Sequence, residues 1–198
     1  MNSLHRVLAD AARELDSSGT AWALVGGLAV GARTEPRFTR AVDLAVAAAD
    51  DEASEIVVRA LLSRGYHVNA LLEQTFTKRL ATVRLMPPAG GRLVDLLFAS
   101  SGIEAEVVEA AERLELVAGV PAPVARTGHL LAMKVLARND ATRPQDRLDL
   151  AGLLGVTGPA ELKRCRQSLQ LMMDRGYSRG RRLLEELDAA LTEFAYNL

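Results

Sequence analysis

The chain has 198 residues, enough for one domain with an appended segment or for two small domains that share a core. Its 24 basic and 25 acidic residues give a formal net charge of −1, so overall charge does not indicate a nucleic-acid partner. A single cysteine excludes an internal disulfide, and no signal peptide or bilayer-spanning stretch is evident. We therefore expect a cytoplasmic protein with no membrane partner.

Helices and strands alternate through the first half of the chain. Apolar residues at 4, 7, 8, 11, 12 and 15 form one face of a helix that Ser3 can cap, and Gly65 is typical of a helix end. The predicted elements in chain order are a helix at 4–15, a strand at 21–25, a short helix after it, a loop at 33–40, a strand at 42–47, a helix at 50–63, and strands at 66–69, 75–86 and 92–98.

The second half becomes entirely helical towards its end. The pattern predicts a helix at 103–113, a strand pair at 114–124, and helices at 127–138, 145–154, 160–174 and 179–196. Strands and helices mixed first, then helices alone, indicate an α+β catalytic half and a helical C-terminal half. Helix-breaking residues at 139–144 place the predicted boundary between domains 1–140 and 141–198.

A glycine pair and an acidic strand lie close together in the sequence. Gly26 and Gly27 follow the first strand, where backbone N–H groups could approach a triphosphate at the start of a helix. Ala41 and Asp43 lie on the next strand, and side chains two apart point to the same face. Carboxylates at both positions would converge on Mg²⁺, so the alanine at 41 is the departure that limits a functional claim. The alternative is a tight turn followed by a strand-end charge.

A second acidic residue stands inside an otherwise apolar strand. Asp95 is flanked by Leu93, Val94, Leu96 and Leu97. A buried carboxylate is costly unless it is paired or bound to a metal. Asp95 is therefore either a metal ligand or base, or the partner of an arginine such as Arg84 or Arg79.

Three sequence blocks in this order resemble the AbiEii/MenT-type nucleotidyltransferase toxins of the polymerase-β nucleotidyltransferase superfamily. They are the glycine pair, the acidic strand preceded by Arg37-Phe38-Thr39-Arg40, and a helix containing Lys134 followed by a segment from Arg143 to Asp149. The resemblance covers roughly residues 20–155. It implies a polymerase-β-like core, a mixed sheet flanked by helices, with a helical C-terminal half. It also implies a toxin of a mycobacterial-like type IV toxin–antitoxin system that uses Mg²⁺ and a nucleoside triphosphate to add nucleotides to the 3′ acceptor end of tRNA, under the control of a cognate antitoxin.

The resemblance also assigns roles to residues. Asp43 and Asp95 would hold metal, together with position 41, where an aspartate is expected; with Ala41 the enzyme is expected to be inactive. Gly26, Gly27, Arg40 and Lys134 would bind the nucleotide. One of Asp146 and Asp149 would complete the site, and the sequence does not choose between them. On their own chemistry, Lys134 could instead be a surface residue, and the two aspartates could form ion pairs on a helix surface.

Basic residues gather after the predicted catalytic half. Between residues 161 and 182 they give a local net charge of about +5, which would attract a phosphate backbone. A solvated helix face is the alternative. The predicted RNA-binding residues are Arg37, Lys163, Arg164, Arg166, Arg179, Arg181 and Arg182.

Ala41 and its neighbour Thr39 raise two questions about activity. Ala41 either belongs to a natural member of the group without chemistry or is a substitution that disarms a toxin. Phosphate on Thr39 would add about −2 charge on the face of position 41 and obstruct a triphosphate, so Thr39 is a candidate regulatory site. Two other functions stay open: a nucleotidyltransferase that modifies protein hydroxyls, AMPylase-like, and a catalytically dead binding protein of the same fold.

Overall fold

The computed structural model describes residues 3–36, 38–117, 120–139 and 141–194. Within these ranges the chain forms seven strands and eight helices. In chain order they are α1 (Ser3–Ser17), β1 (Trp22–Val25), α2 (Gly26–Arg33), β2 (Ala41–Val46), α3 (Asp51–Ser63), β3 (His67–Glu73), β4 (Leu80–Met86), β5 (Leu93–Leu97), α4 (Glu104–Glu109), β6 (Glu112–Val117), β7 (Val120–Val124), α5 (Thr127–Ala137), α6 (Pro144–Val156), α7 (Pro159–Asp174) and α8 (Leu183–Glu193).

The strands form one mixed sheet in the order β3-β4-β5-β2-β1-β7-β6. β2 pairs in parallel with β5, and β1 pairs in parallel with β7, whereas the other neighbouring strands are antiparallel. The central strands β1, β2 and β5 carry the two acidic positions and the turn into α2. This agrees with the predicted mixed sheet flanked by helices and with a helical C-terminal half.

The two predicted domains contribute to one hydrophobic core. Leu24 of β1 and Leu44 of β2 are fully buried, and Leu131 of α5 and Leu150 of α6 belong to the same buried cluster. Helix α6 also packs against α2. The division at 140/141 stays a prediction, and residue 140 lies outside the described part of the chain.

Local chemistry explains where several elements begin and end. Asp50 caps α3, because its carboxylate accepts the Ala53 N–H at 2.8 Å, as predicted. The predicted strand 75–86 is too long, since β4 begins at Leu80. The Gln74 side-chain oxygen accepts the N–H groups of Phe76 and Thr77, both at 2.6 Å, and holds that segment as a turn.

Two predicted helices are shorter in the structure. The helix predicted at 103–113 is α4, which ends at Glu109, because the chain leaves it to pair β6 with β7. The helix predicted to start at 179 begins at Leu183, since Arg179 and Gly180 both have positive φ values, 57° and 74°. Its predicted end at Tyr196 lies outside the described residues. No helix among those described has the length and apolar character needed to cross a membrane.

Candidate active site

The turn from β1 into α2 brings backbone amides against the side chain of Asp43. Val25 and Asp43 are register partners in the antiparallel pair β1/β2. Gly26 has φ +63°, and a Cβ atom at this position would overlap the Asp43 carboxylate. The Gly27 N–H donates to that carboxylate, so Asp43 lies at the N-terminus of α2. Glycine at 26 is therefore required twice, by its backbone conformation and by this close approach.

Asp43 and Asp95 are neighbours on adjacent strands. They are register partners in the parallel pair β2/β5, so their side chains share one face of the sheet. Burial raises the pKa of Asp43 to about 6, and the Asp95 charge adds to this rise. Lys134, the Gly27 N–H and Arg84 act in the opposite direction. The two carboxylates thus create a negative potential that invites a cation.

An arginine from the next strand already supplies positive charge to this pair. Arg84 of β4 is the register partner of Asp95, and its Nε and Nη2 donate to the two Asp95 oxygens at 2.8 and 2.7 Å. Asp95 itself is only 6% exposed. Of the two arginines that the sequence left open as partners, Arg84 binds Asp95, whereas Arg79 binds Asp51 at 2.7 Å.

Lys134 lies between both of the aspartates considered for the site. Its Nζ is 2.8 Å from Asp146 Oδ1 and 2.7 Å from Asp149 Oδ2. All three residues are buried, which rules out the alternatives of a surface lysine and of surface ion pairs. The reason is that α5 and α6 pack face to face, which the sequence of either helix alone does not reveal. Asp146 also faces the cleft described next, while Asp149 accepts from Gln145 Nε2 at 3.3 Å.

These groups line one cleft of about 930 Å³ between the sheet and the helices. Five cationic and three acidic side chains line it, so basic groups outnumber acidic ones in the lining. Three exposed apolar side chains also line it: Phe38, Leu72 and Leu148, 71%, 51% and 60% exposed. Arg92 stacks over the Phe38 ring at 4.7 Å from its centroid. The cationic residues are Arg40, Arg84, Lys134, Arg143 and Arg179, and the acidic ones are Asp43, Asp95 and Asp146.

The segment before Asp43 reaches the same cleft. Thr39 and Arg40 line it, and the Thr39 hydroxyl donates to the Ala41 carbonyl at 3.2 Å. Ala41 is the register partner of Leu93 and lies on the same face of β2 as Asp43. Arg37, a predicted RNA-binding residue, lies outside the described residues.

The other predicted RNA-binding residues do not form one uncompensated basic face. Arg179 lines the cleft, and burial lowers its pKa, with Arg181 and Arg143 adding to the effect. Lys163 is exposed on α7. The remaining arginines form ion pairs with acidic residues. Three of these acids lie on α8, outside the range 161–182 over which the charge was counted. These pairs are Arg164–Glu161, Arg166–Asp188, Arg181–Glu186 and Arg182–Glu185. Binding of RNA by this set stays a prediction.

The carboxylates present do not fit the expected pair of magnesium ions. In the described part of the chain, no group of three or more His, Cys, Asp or Glu side chains is placed to hold a metal ion. Position 41 offers only a methyl group, and both oxygens of Asp95 accept from Arg84. Asp43 alone remains as a carboxylate ligand, whereas Mg²⁺ takes six oxygens in octahedral geometry.

Sequence reasoning missed several parts of this cleft. Arg143 was not assigned a role, and Arg179 was assigned to RNA rather than to the cleft. The apolar lining of Phe38, Leu72 and Leu148 was also missed. The alternation in β4, where Thr82 and Arg84 share the face opposite the buried Val83, was the signal that could have identified Arg84 as a site residue.

Among comparisons with known proteins, only the comparison of structures finds similar proteins. No protein-family model matches the sequence, and no curated protein matches it either. An antigenic nucleotidyltransferase-like protein from Paracoccidioides brasiliensis matches with a TM-score of 0.54 at 20% identity, over 97% of this chain and 93% of that one. The antibiotic-resistance factor ANT(2″)-Ia matches with a TM-score of 0.51 at 18% identity, over 98% and 93% of the two chains.

The chain has a nucleotidyltransferase fold. This confirms the predicted fold class, and at these identities the likeness extends to the fold alone. MenT4, a nucleotidyltransferase toxin from Mycobacterium tuberculosis H37Rv, also matches, over 94% of this chain and 92% of that one, with a TM-score of 0.35 at 16% identity. That similarity is too distant to support the resemblance to the toxin family, which rests on the three sequence blocks.

Proposed function

We propose that the cleft binds a nucleoside triphosphate and that the fold carries out nucleotidyl transfer to the 3′ end of tRNA when position 41 bears a carboxylate. The observation that carries this proposal is the contact of Asp43 with Gly26 and Gly27 at the floor of the cleft. This contact brings the glycine turn and the acidic strand together. These are two of the three sequence blocks whose resemblance to the toxin family implies nucleotidyl transfer.

The charges in the cleft support a polyphosphate as ligand. Arg40 reaches it from the segment before β2, Arg143 from the start of α6, and Arg179 from the turn before α8. A triphosphate between them would gain charge-assisted hydrogen bonds to guanidinium groups, which suit phosphate geometry. Lys134 adds positive charge from the wall, although its ammonium is shared with two aspartates.

Magnesium belongs in this proposal only with an aspartate at position 41. Three carboxylates on β2 and β5 would then face the cleft, and bound Mg²⁺ would stabilise charge on the leaving pyrophosphate. In the chain as it stands, the alanine and the Arg84–Asp95 pair favour nucleotide binding without transfer. A binding protein of this fold is therefore the second candidate function.

The acceptor is the part of the proposal that the cleft constrains least. The tRNA end and the cognate antitoxin follow from the resemblance to the toxin family, whereas control through Thr39 follows from its position beside the site. Thr39 lines the cleft, so a phosphate on its hydroxyl would compete with a triphosphate for the same cations. A protein hydroxyl is the alternative acceptor, and tobramycin is another, since a crystal structure of ANT(2″)-Ia contains adenylyl-2″-tobramycin.

Restoring the carboxylate tests the proposed activity. Ala41→Asp, with Ala41→Asn as the uncharged control of similar shape, is incubated with Mg²⁺, each labelled nucleoside triphosphate, and total tRNA, cell protein or tobramycin. We expect label in tRNA with the aspartate variant and none with the asparagine variant or the unaltered chain. Label in protein or tobramycin instead would show that tRNA is not the acceptor. No label in any of the three would contradict transfer and favour the second candidate function, a binding protein.

A further inference from the structure

Arg84 supplies a cation beside the two acidic residues of the central strands. Its guanidinium binds both oxygens of Asp95 and lies close enough to Asp43 for each charge to affect the pKa of the other. With alanine at 41, β2 offers one carboxylate instead of two. The site therefore has one carboxylate fewer than a site with aspartate at position 41, and it has one guanidinium close to the two carboxylates that are present.

The same guanidinium is also open to the cleft. The Arg84 side chain is 40% exposed, whereas that of Asp95 is 8% exposed. Arg84 lines the cleft beside Thr82 and Leu97. A guanidinium carries five N–H donors, and in the described part of the chain its bonds to Asp95 use the Nε donor and one Nη2 donor. The remaining donors can serve a phosphate without breaking the pair with Asp95.

We propose that Arg84 takes the place of a metal ion, so that this chain binds the triphosphate of a nucleotide directly and without a divalent cation. The inference rests on the proposed function and deepens it, since it assigns how the same cleft neutralises its ligand. Asp95 becomes a positioning residue that holds the guanidinium by two bonds. Arg40 and Arg179 supply further positive charge, and Arg143 does so while it is paired with Asp146 at 2.9 Å.

A purely structural ion pair is the alternative, and the distribution of exposure argues against it. A pair that only stabilised the sheet would have no need of guanidinium donors open to solvent, and an exposed ion pair contributes little to stability. Here the acid is buried and the base is open to the largest charged cleft described. That arrangement presents a fixed cation to a ligand.

The unaltered chain provides the first test, which needs no variant. Isothermal titration with ATP is carried out once with excess Mg²⁺ and once with excess EDTA. We expect dissociation constants that agree within about twofold, because the protein supplies the cation itself. Binding only in the presence of Mg²⁺ would overturn this inference and leave the proposed function standing, whereas no binding in either condition would overturn both.

A matched pair of variants then isolates the guanidinium. Asp95→Asn and the double variant Asp95→Asn with Arg84→Gln differ only at position 84, and neither leaves a buried charge without a partner. In EDTA we expect the double variant to bind ATP at least about tenfold more weakly than the single variant. Thermal melting verifies that both are folded, and Arg59→Gln, which changes an exposed arginine on α3, should bind like the unaltered chain. Equal affinity of the two Asp95 variants would contradict the role of Arg84.

Discussion

The sheet and the helices each hold two aspartates around a central basic residue, and the two clusters differ in how far that residue is open. The helical cluster is closed at Lys134, although the exposed Arg143 also pairs with Asp146, at 2.9 Å. On the helices, the side chains of Lys134, Asp146 and Asp149 are 10%, 2% and 1% exposed. On the sheet, Asp43 and Asp95 share Arg84, whose side chain is 40% exposed. A closed cluster with balanced bonds fixes the packing of α5 on α6. The cluster on the sheet is open to solvent, so its arginine can bind a ligand in addition to Asp95, as a ligand site requires.

Breaking the closed cluster should have the largest effect. Lys134→Met leaves two buried aspartates without their shared ammonium, and we expect a loss of about 3–5 kcal/mol in the free energy of unfolding. Urea denaturation measures it, with Lys163→Met on the exposed face of α7 as the control, for which we expect a change within about 0.5 kcal/mol. A loss of less than about 1 kcal/mol would show that the helical cluster is not a structural element.

A second buried titratable group on α5 extends the comparison to pH. His129 is 4% exposed, and burial lowers its pKa to about 4, with the charge of Arg164 adding to the effect. The unfolded chain therefore binds a proton near pH 6.5 that the folded chain does not bind until about pH 4. Between these values His129 alone should lower the free energy of unfolding as pH falls, by roughly 3 kcal/mol. Asp43, whose pKa is raised to about 6, contributes in the opposite direction over part of the same range, so the His129 contribution is read from a variant.

Comparison of two histidine variants isolates this contribution. In His129→Gln the loss between pH 6.5 and 4 should shrink relative to the unaltered chain, because no proton is gained at that position on unfolding. His67→Gln, which changes an exposed residue of β3, should keep the original slope. Identical pH profiles for all three proteins would contradict the assignment. The other groups that affect the His129 charge are Glu161, Glu106 and Arg126.

The open cluster should respond more in binding than in stability. Gly26→Ala introduces a Cβ that overlaps the Asp43 carboxylate, at a residue with φ +63°. Gly90→Ala is the matched control, since Gly90 has φ +69° with nothing within 4 Å of the new atom. Both should lose about 1–2 kcal/mol through the backbone, and Gly26→Ala should lose more because of the overlap. Only Gly26→Ala should also weaken ATP binding, by roughly tenfold in a titration; equal affinities would show that the turn does not contact the ligand.

The sequence predicted the central part of the site because that part depends on local periodicity. The order of strand, glycine turn, helix and acidic strand places Gly26 near Asp43. The position of Asp95 inside an apolar strand indicates that its carboxylate needs a partner. Contacts between distant elements were beyond such reasoning. The choice of Arg84 over Arg79 depends on the β4/β5 register, and the burial of Lys134 depends on the packing of α5 against α6.

The basic segment illustrates the same limit. Its charge was counted along the sequence, whereas Asp188, Glu185 and Glu186 neutralise it from α8. Exposure of Phe38 and Leu148 at the cleft also depends on the complete fold, since neither residue lies in a pattern that distinguishes a binding surface from a core position.

The most direct test of the central claim is to locate bound nucleotide on the unaltered chain by NMR. ATP is titrated into isotope-labelled protein in EDTA, and the backbone amides of Gly26 and Gly27 are followed together with the Arg84 Nε–H resonance. We expect these signals to shift and to saturate together, while the amide of the exposed Gln170 on α7 stays in place. Unchanged Gly27 and Arg84 signals at saturating ATP, or shifts confined to α7 and α8, would contradict nucleotide binding in this cleft.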